Sequence, residues 1–193
     1  MRVSMKPKIF VIAYCLIASF CYSQNCSVNT SEAILTTFLN SLRLIAHQAG
    51  NSQRKTVVTG LINQAQLVLE KKQQLIDACA KYSTSFEDTD WSTVETRLKA
   101  TNSTLQAFED DLTDAIETYP QDAITPELIN LQGTVVSRKL KTLCDLSSKP
   151  ATQQAQADYR KRVNELKDEK EQIKSAVKEL NDLVHSIANG NAA

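Results

Sequence analysis

The residues that most often carry chemistry are few and widely spaced in this chain. It has two histidines, His47 and His185, which fall on different predicted helices. The sequence contains no HExxH, CxxC or GxSxG motif and no glycine-rich phosphate-binding loop. Each histidine instead falls near the end of its helix, where the helix dipole favours a cation. We therefore expect no catalytic residue, no cofactor and no metal site built on this pair.

Two acidic groups are the other candidates for binding a cation. Residues 109–111 (EDD) and Asp114 lie on one predicted helix, where adjacent side chains fan outwards and do not converge on one point. Residues 87–90 (EDTD) lie in a predicted loop and are freer to wrap around an ion. This loop lacks the glycine and the ligand spacing of a calcium-binding loop. The sequence therefore predicts no metal ligands.

The final predicted helix is rich in basic residues and is the main candidate for an interaction surface. Lys170, Lys174 and Lys178 share one face of it, among acidic residues that neutralise much of their charge. If this helix extends beyond its neighbours, part of its apolar seam is left uncovered. Leu180 and Val184 would then form a docking surface together with the three lysines.

The first two dozen residues have the pattern of a secretory signal peptide. MRVSMKPK carries three basic side chains and no acidic one, and the apolar run IFVIAYCLIASFCYS follows. This run is shorter than the ~20 apolar residues of a membrane span. We predict that residues 1–23 are removed, with cleavage after Ser19 as the alternative. The mature chain is then an extracellular protein without a membrane span, with one helical domain over residues 24–188 and a frayed tail over 189–193.

The cysteine count of the mature chain depends on this cleavage. The preferred site leaves Cys26, Cys79 and Cys144, and the alternative site also retains Cys21. Disulfides form in the oxidising environment that secreted proteins meet. In an antiparallel bundle all of these cysteines fall at one end. We predict a Cys79–Cys144 disulfide, with Cys26 free or paired with Cys21, and Cys26–Cys79 as the alternative.

Three Asn-X-Ser/Thr sequons follow the predicted signal peptide. Asn29 and Asn102 are the candidates for N-glycosylation in a secreted chain. Asn25 is disfavoured because the middle residue of its sequon is Cys26, which is a candidate for a disulfide.

The composition favours an all-α protein that does not bind nucleic acid. The 193 residues include 22 basic and 22 acidic side chains, so the chain lacks the basic excess of a nucleic-acid-binding protein. Removing Arg2, Lys6 and Lys8 takes the basic count from 22 to 19 against 22 acidic residues, a net charge of −3. Four glycines and four prolines are too few for the turns of a β-sandwich.

The spacing of apolar residues predicts an antiparallel bundle of about five helices. The predicted helices span about 31–48, 52–82, 91–119, 125–146 and 152–188. In the second, third and fifth helices the apolar seam alternates steps of three and four residues, which is typical of coiled-coil-like packing. Lys72 and Lys170 occupy seam positions, where a polar residue fixes the register or marks where the seam leaves the core.

Taken together, these features resemble those of small secreted helical proteins of arthropods, of which the salivary proteins of blood-feeding insects are one group. The resemblance is carried by the predicted signal peptide, the sequons in QNCSVNTS and NST, and heptad helices with scattered cysteines. It implies a protein that is injected into a host and acts on immune cells or haemostasis. It carries over no functional residue.

From the residues themselves we predict a secreted binding protein without enzymatic activity, whose partner is an extracellular protein or receptor. The alternative is a carrier that encloses a lipid or a small apolar molecule between its helices. One tryptophan and two methionines would line such a cavity only sparsely. Self-association through the long helix 152–188 is a further hypothesis.

Overall fold

The computed structural model describes residues 30–50, 52–134 and 147–189, and this part of the chain is helical without a strand. The predicted all-α bundle of five helices is confirmed. We number these helices α1 (Thr30–His47), α2 (Ser52–Ser85), α3 (Asp88–Thr118), α4 (described from 125 to 134) and α5 (Gln153–Ala188). The predicted signal peptide, Cys26, Asn29 and Cys144 lie outside the described residues.

The central element of the bundle is α2, which packs against α3 and α5 along much of its length and against α1 more briefly. Two apolar stripes are needed because neighbours lie on two sides of it. All of the predicted positions of its first seam are buried: Val58, Leu61, Ala65, Val68, Lys72, Leu75, Cys79 and Tyr82. The second stripe, Ile62, Leu69 and Ile76, is buried as well.

The short link between α2 and α3 makes these two helices an antiparallel hairpin. Tyr82 lies against Trp91 near the link, and Thr101 donates a hydrogen bond to the carbonyl oxygen of Lys71 farther along. The helix α5 also runs antiparallel to α2, because Tyr159 packs on the same Tyr82 while later residues of α5 meet earlier residues of α2.

Three predicted seam positions of α5, Lys170, Val177 and Val184, are only half-buried. Glu169 and Ala176 are buried in place of the first two. From Leu166 to Leu180 the buried residues follow steps of three, four, three and four, where the prediction has four, three, four and three, so the period is unchanged and only the order of the steps differs. The ion pair between Lys72 and Glu169, with 2.6 Å between Nζ and Oε1, occupies the position that the predicted seam gives to residue 170.

Helix α1 and the described part of α4 cover one half of the long helices. At ~1.5 Å per residue α1 is about 27 Å long, roughly half the length of α5. Phe38 of α1 packs edge-on against Phe108 of α3 with 6.0 Å between ring centroids. The side chain of Asn130 on α4 donates to the hydroxyl of Ser41 on α1 at 2.9 Å. Within the described part of the chain, no helix is both long and apolar enough to cross a membrane.

Candidate functional site

The structure separates the predicted interaction surface on α5 into exposed lysines and covered apolar residues. Lys174 and Lys178 are exposed, while Lys170 is half-buried and pairs with Asp77 at 2.5 Å. Leu180 is fully buried, and Val184 is half-buried against the core. The apolar half of this surface is therefore covered by the chain itself.

This covering has a direct cause in the position of α1, which lies beside the C-terminal half of α5. Arg43 of α1 donates two hydrogen bonds to the carboxylate of Glu179, one of them from Nη2 at 2.7 Å. A bidentate arginine–carboxylate pair of this kind fixes orientation as well as contact. The expectation that α5 leaves its seam uncovered is thus wrong at Leu180.

Three exposed lysines on one side of α5 form what we call the basic row, defined as Lys167, Lys174 and Lys178. All three side chains are exposed, and Lys174 pairs with Glu171 of its own helix at 2.6 Å. Such pairs on a solvated helix contribute little to stability. The basic row is therefore free to contact an acidic surface.

A cluster of aromatic rings lies at the end of the bundle where α2 and α3 are linked. Tyr82 is its centre, with ring centroids 5.2 Å from Phe86, 5.0 Å from Trp91 and 5.5 Å from Tyr159. Tilted and edge-to-face ring pairs at these distances are favourable beyond the area that they bury. The sequence pattern had assigned three of these residues to seams, but not Phe86, which lies in the link between the helices.

Phe86 adopts a backbone conformation that glycine usually provides at the end of a helix. Its φ angle is 53°, and its N–H donates to the carbonyl oxygen of Tyr82 at 2.8 Å. The guanidinium of Arg160 lies 4.6 Å from the centroid of the Phe86 ring, and its Nε donates to the carbonyl oxygen of Ser83 at 2.9 Å. Arg160 therefore caps α2 and holds Phe86, which is a structural task.

Cys79 lies behind this cluster as a fully buried free thiol. Burial raises the pKa of its thiol to about 11, which its contact with the Tyr159 hydroxyl only partly opposes. A thiol with such a pKa is protonated at neutral pH and is a poor nucleophile. Cys26 and Cys144 lie outside the described residues, so the predicted disulfides stay predictions.

Two of the acidic residues at 87–90, Asp88 and Asp90, are held by partners and lie in the first turn of α3, where a loop was expected. Asp90 is buried, accepts a hydrogen bond from the Ser85 hydroxyl at 2.6 Å and pairs with Lys81 at 2.7 Å. The hydrogen bonds from Lys81 and Ser85 lower the pKa of Asp90. Asp88 pairs with Lys149 at 2.6 Å. These carboxylates anchor the start of α3.

The remaining candidates lie apart from one another on the surface. His47 and His185 are both exposed near the ends of α1 and α5. Asn102 is half-buried on α3, beside a shallow groove that Leu98, Lys99 and Gln106 also line. Its glycosylation stays a prediction. Among the described residues, no three His, Cys, Asp or Glu side chains are placed to hold a metal ion.

A second open groove lies between α2 and α3. It has a volume of about 320 Å³ and is lined by Val57, Gly60, Leu61, Gln64, Asp111, Asp114, Ala115 and Thr118. Gly60 is exposed, and a Cβ atom there would meet nothing within 4 Å. The helical pattern does not predict this groove, because it does not show which side of α3 stays uncovered.

Comparison with protein-family models, with curated proteins and with solved structures finds no match to this chain.

Proposed function

We propose that this chain is an exported helical binding protein that acts on an extracellular protein or receptor through the outer faces of its helices. The main support for the proposal is that large side chains fill the interior of the described part of the chain. Its largest fully buried side chains include Tyr82, Tyr159, Phe38 and Phe108, and each of these packs ring against ring. Two grooves lined by described residues, beside Asn102 and beside Gly60, are instead open to solvent.

The basic row on α5 is the surface that we assign to the partner. Lys167, Lys174 and Lys178 project from a helix whose other side is fixed in the core. The predicted mature chain is acidic overall, and Glu171 offsets the charge of Lys174, so the positive charge of this surface comes mainly from Lys167 and Lys178. Charge complementarity of this kind raises association rates and selects partners more than it adds raw affinity. An acidic patch on the partner fits the basic row.

The biological setting rests on the resemblance to secreted salivary proteins. In that setting the partner belongs to a host, and binding would modulate immune cells or haemostasis. Secretion, disulfide formation and glycosylation belong to the same proposal, supported by the basic and apolar N-terminal segment and by the sequons.

The test is affinity capture with three baits that are made through a secretory host. They are the unaltered chain, the double variant K174E/K178E and a matched control, K99E/K161E, which makes the same change in net charge at two other exposed lysines. Each bait is incubated with host plasma and blood cells, and the protein and lipid fractions are analysed by mass spectrometry.

We expect the unaltered chain and the control to retain the same protein, and K174E/K178E to lose it by roughly tenfold or more. Recovery of a bound lipid by all three baits, with no protein, would contradict the proposal and support the carrier. Equal retention of one protein by all three baits would contradict the assignment of the basic row.

A further inference from the structure

We propose that the exposed face of the α2–α3 hairpin binds a second copy of this chain, so that the protein is an antiparallel homodimer. The surface concerned is separate from the basic row on α5, and the inference does not depend on the proposed function. It rests on the order of charges and side-chain sizes along α3, on the open groove beside it, and on one exposed leucine of α2.

The first observation is a symmetric pattern on α3. Arg97, Ala100, Thr104, Ala107 and Asp111 follow one another at steps of three and four residues, so they lie on one side of the helix. Arg97 and Asp111 lie seven residues on either side of Thr104, and the two alanines are nearly equidistant from it. A copy that runs antiparallel and is centred on Thr104 would place each arginine opposite the partner's aspartate.

The second observation is that this side of α3 is open to solvent. Arg97 and Ala107 are exposed, and Ala100, Thr104 and Asp111 are half-buried. Of these residues, Asp111 lines the groove between α2 and α3. The same residues are turned away from α4, which approaches α3 on another side through a hydrogen bond from Gln132 to Thr113 at 2.8 Å.

The third observation places an apolar side chain at the same level of the bundle. Leu67 of α2 is 39% exposed and is one of three large exposed apolar side chains among the described residues. Because α2 and α3 are antiparallel with Thr101 beside Lys71, Leu67 lies level with Thr104. A two-fold axis that crosses both helices there would bring the two copies of Leu67 together and remove both from water.

The side-chain sizes allow the two helices to approach closely. Ala100 and Ala107 are small, and the hydroxyl of Thr104 donates to the carbonyl oxygen of Ala100 at 3.0 Å, so it is satisfied within its own helix. Packed helices reach axial distances of about 8 Å where the contact residues are small. Beside Gly60 there is room for a side chain of the partner.

The charges explain why the occupant is a second copy and not another basic or acidic protein. Arg97 is held at one end of this face by donating from Nη1 to Gln74 at 2.9 Å, and Asp111 lines the groove about 21 Å away. A partner of one charge sign would be repelled at one of the two ends. An antiparallel copy meets the opposite charge at both ends, and the contact closes on itself as a two-fold interface.

The test is a charge-swap series measured by sedimentation equilibrium on the full secreted chain. We expect the unaltered chain to dimerise. R97E and D111R should each raise the dissociation constant by roughly tenfold or more, because each places like charges opposite each other twice. The double variant R97E/D111R should restore dimerisation, since the swapped charges again face each other. The control K174E/K178E on α5 should dimerise like the unaltered chain.

A cross-linking measurement tests whether residue 67 lies on the proposed two-fold axis. L67C should form a disulfide-linked homodimer under mild oxidation, because the two copies of residue 67 face each other, whereas N181C on exposed α5 should not. An unaltered chain that stays monomeric over its soluble range would overturn the proposal. So would a dimer that R97E and D111R leave unchanged, or one that the double variant fails to restore.

Discussion

At the scale of single residues, the local chemistry of this protein is concentrated around Tyr159. Its ring packs against Tyr82, Phe86 and Trp91, and its hydroxyl contacts the thiol of Cys79. Burial raises the pKa of Tyr159 as well as that of Cys79. Both groups are thus kept protonated in the folded chain at neutral pH, and neither is placed to react with solvent.

The state of Cys79 gives the first prediction at this scale. Because the thiol is buried and its pKa is about 11, iodoacetamide should not label it in the folded chain at pH 8. Denaturant without reductant should expose the free thiol and permit labelling, which peptide mass spectrometry detects. The predicted Cys79–Cys144 disulfide gives the opposite result, with labelling only after reduction.

The same thiol also makes stability depend on pH in a defined direction. The pKa of Cys79 rises from 9.0 to about 11 on folding, so the folded state favours the protonated thiol. The stability that results is fully present below pH 9 and is lost as the pH rises towards 11. Cys79→Ala should remove part of this loss in denaturation curves measured between pH 8 and 11. An unchanged slope would contradict the raised pKa.

The contact between Arg160 and Phe86 could not be predicted from the sequence pattern. The helical period says nothing about contacts between residues far apart in the chain, so it assigns no role to Arg160. In the structure Arg160 reaches the carbonyl of Ser83 and covers Phe86, which lies in the interhelical link. A single phenylalanine in a two-residue link carries no periodic signal.

At the scale of elements, the helices were predictable where a helix has neighbours along its whole length. All of the predicted seam positions of α2 are buried, because α3 and α5 enclose that helix and each turn must bury apolar side chains. The prediction was wrong on α5 at Lys170, Val177 and Val184, which are only half-buried. The burial of Glu169 in place of Lys170 follows from its ion pair with Lys72, which the period of the apolar residues does not show.

The ion pair of Lys72 with Glu169 joins α2 to α5, and its removal should destabilise the bundle. Lys72 and Glu169 have side chains only 6% and 4% exposed. K72M should lower the free energy of unfolding by about 3–5 kcal/mol, because it buries the carboxylate without the cation that it meets now. The double variant K72M/E169L should recover most of that loss, since well-packed apolar residues often replace a buried ion pair at no cost.

Urea denaturation measures both effects, and a surface pair on the same two helices is the control. K170M removes the more exposed pair with Asp77 and should cost about 0–1 kcal/mol. A double variant as unstable as K72M would contradict this account. It would show instead that the ion pair itself is needed to set the register between α2 and α5.

At the scale of the whole molecule, the contacts divide the bundle into a long three-helix unit and an attached part. The unit consists of α2, α3 and α5, which share the aromatic cluster and the buried ion pair. Helix α1 adds Phe38, packed on Phe108, and the pair of Arg43 with Glu179. The sequence predicted that α1 and α4 would pack beside the longer helices, because helix lengths follow directly from the periodic segments.

The division into a three-helix unit and an attached part predicts which helices unfold locally at the lowest free energy. We expect amide hydrogen exchange to be slowest in the middle of α2 and faster in α1, because a segment with fewer interhelical contacts opens at a lower free energy. Phe38→Ala should raise exchange in α1 most, since Phe38 is fully buried and replacing such a ring costs about 3–5 kcal/mol. Leu105→Ala, at a fully buried position of α3, should instead raise exchange in α2 and α3 together. If Phe38→Ala raised exchange equally in all of the helices, α1 would open only with the rest, and the bundle would be one cooperative unit.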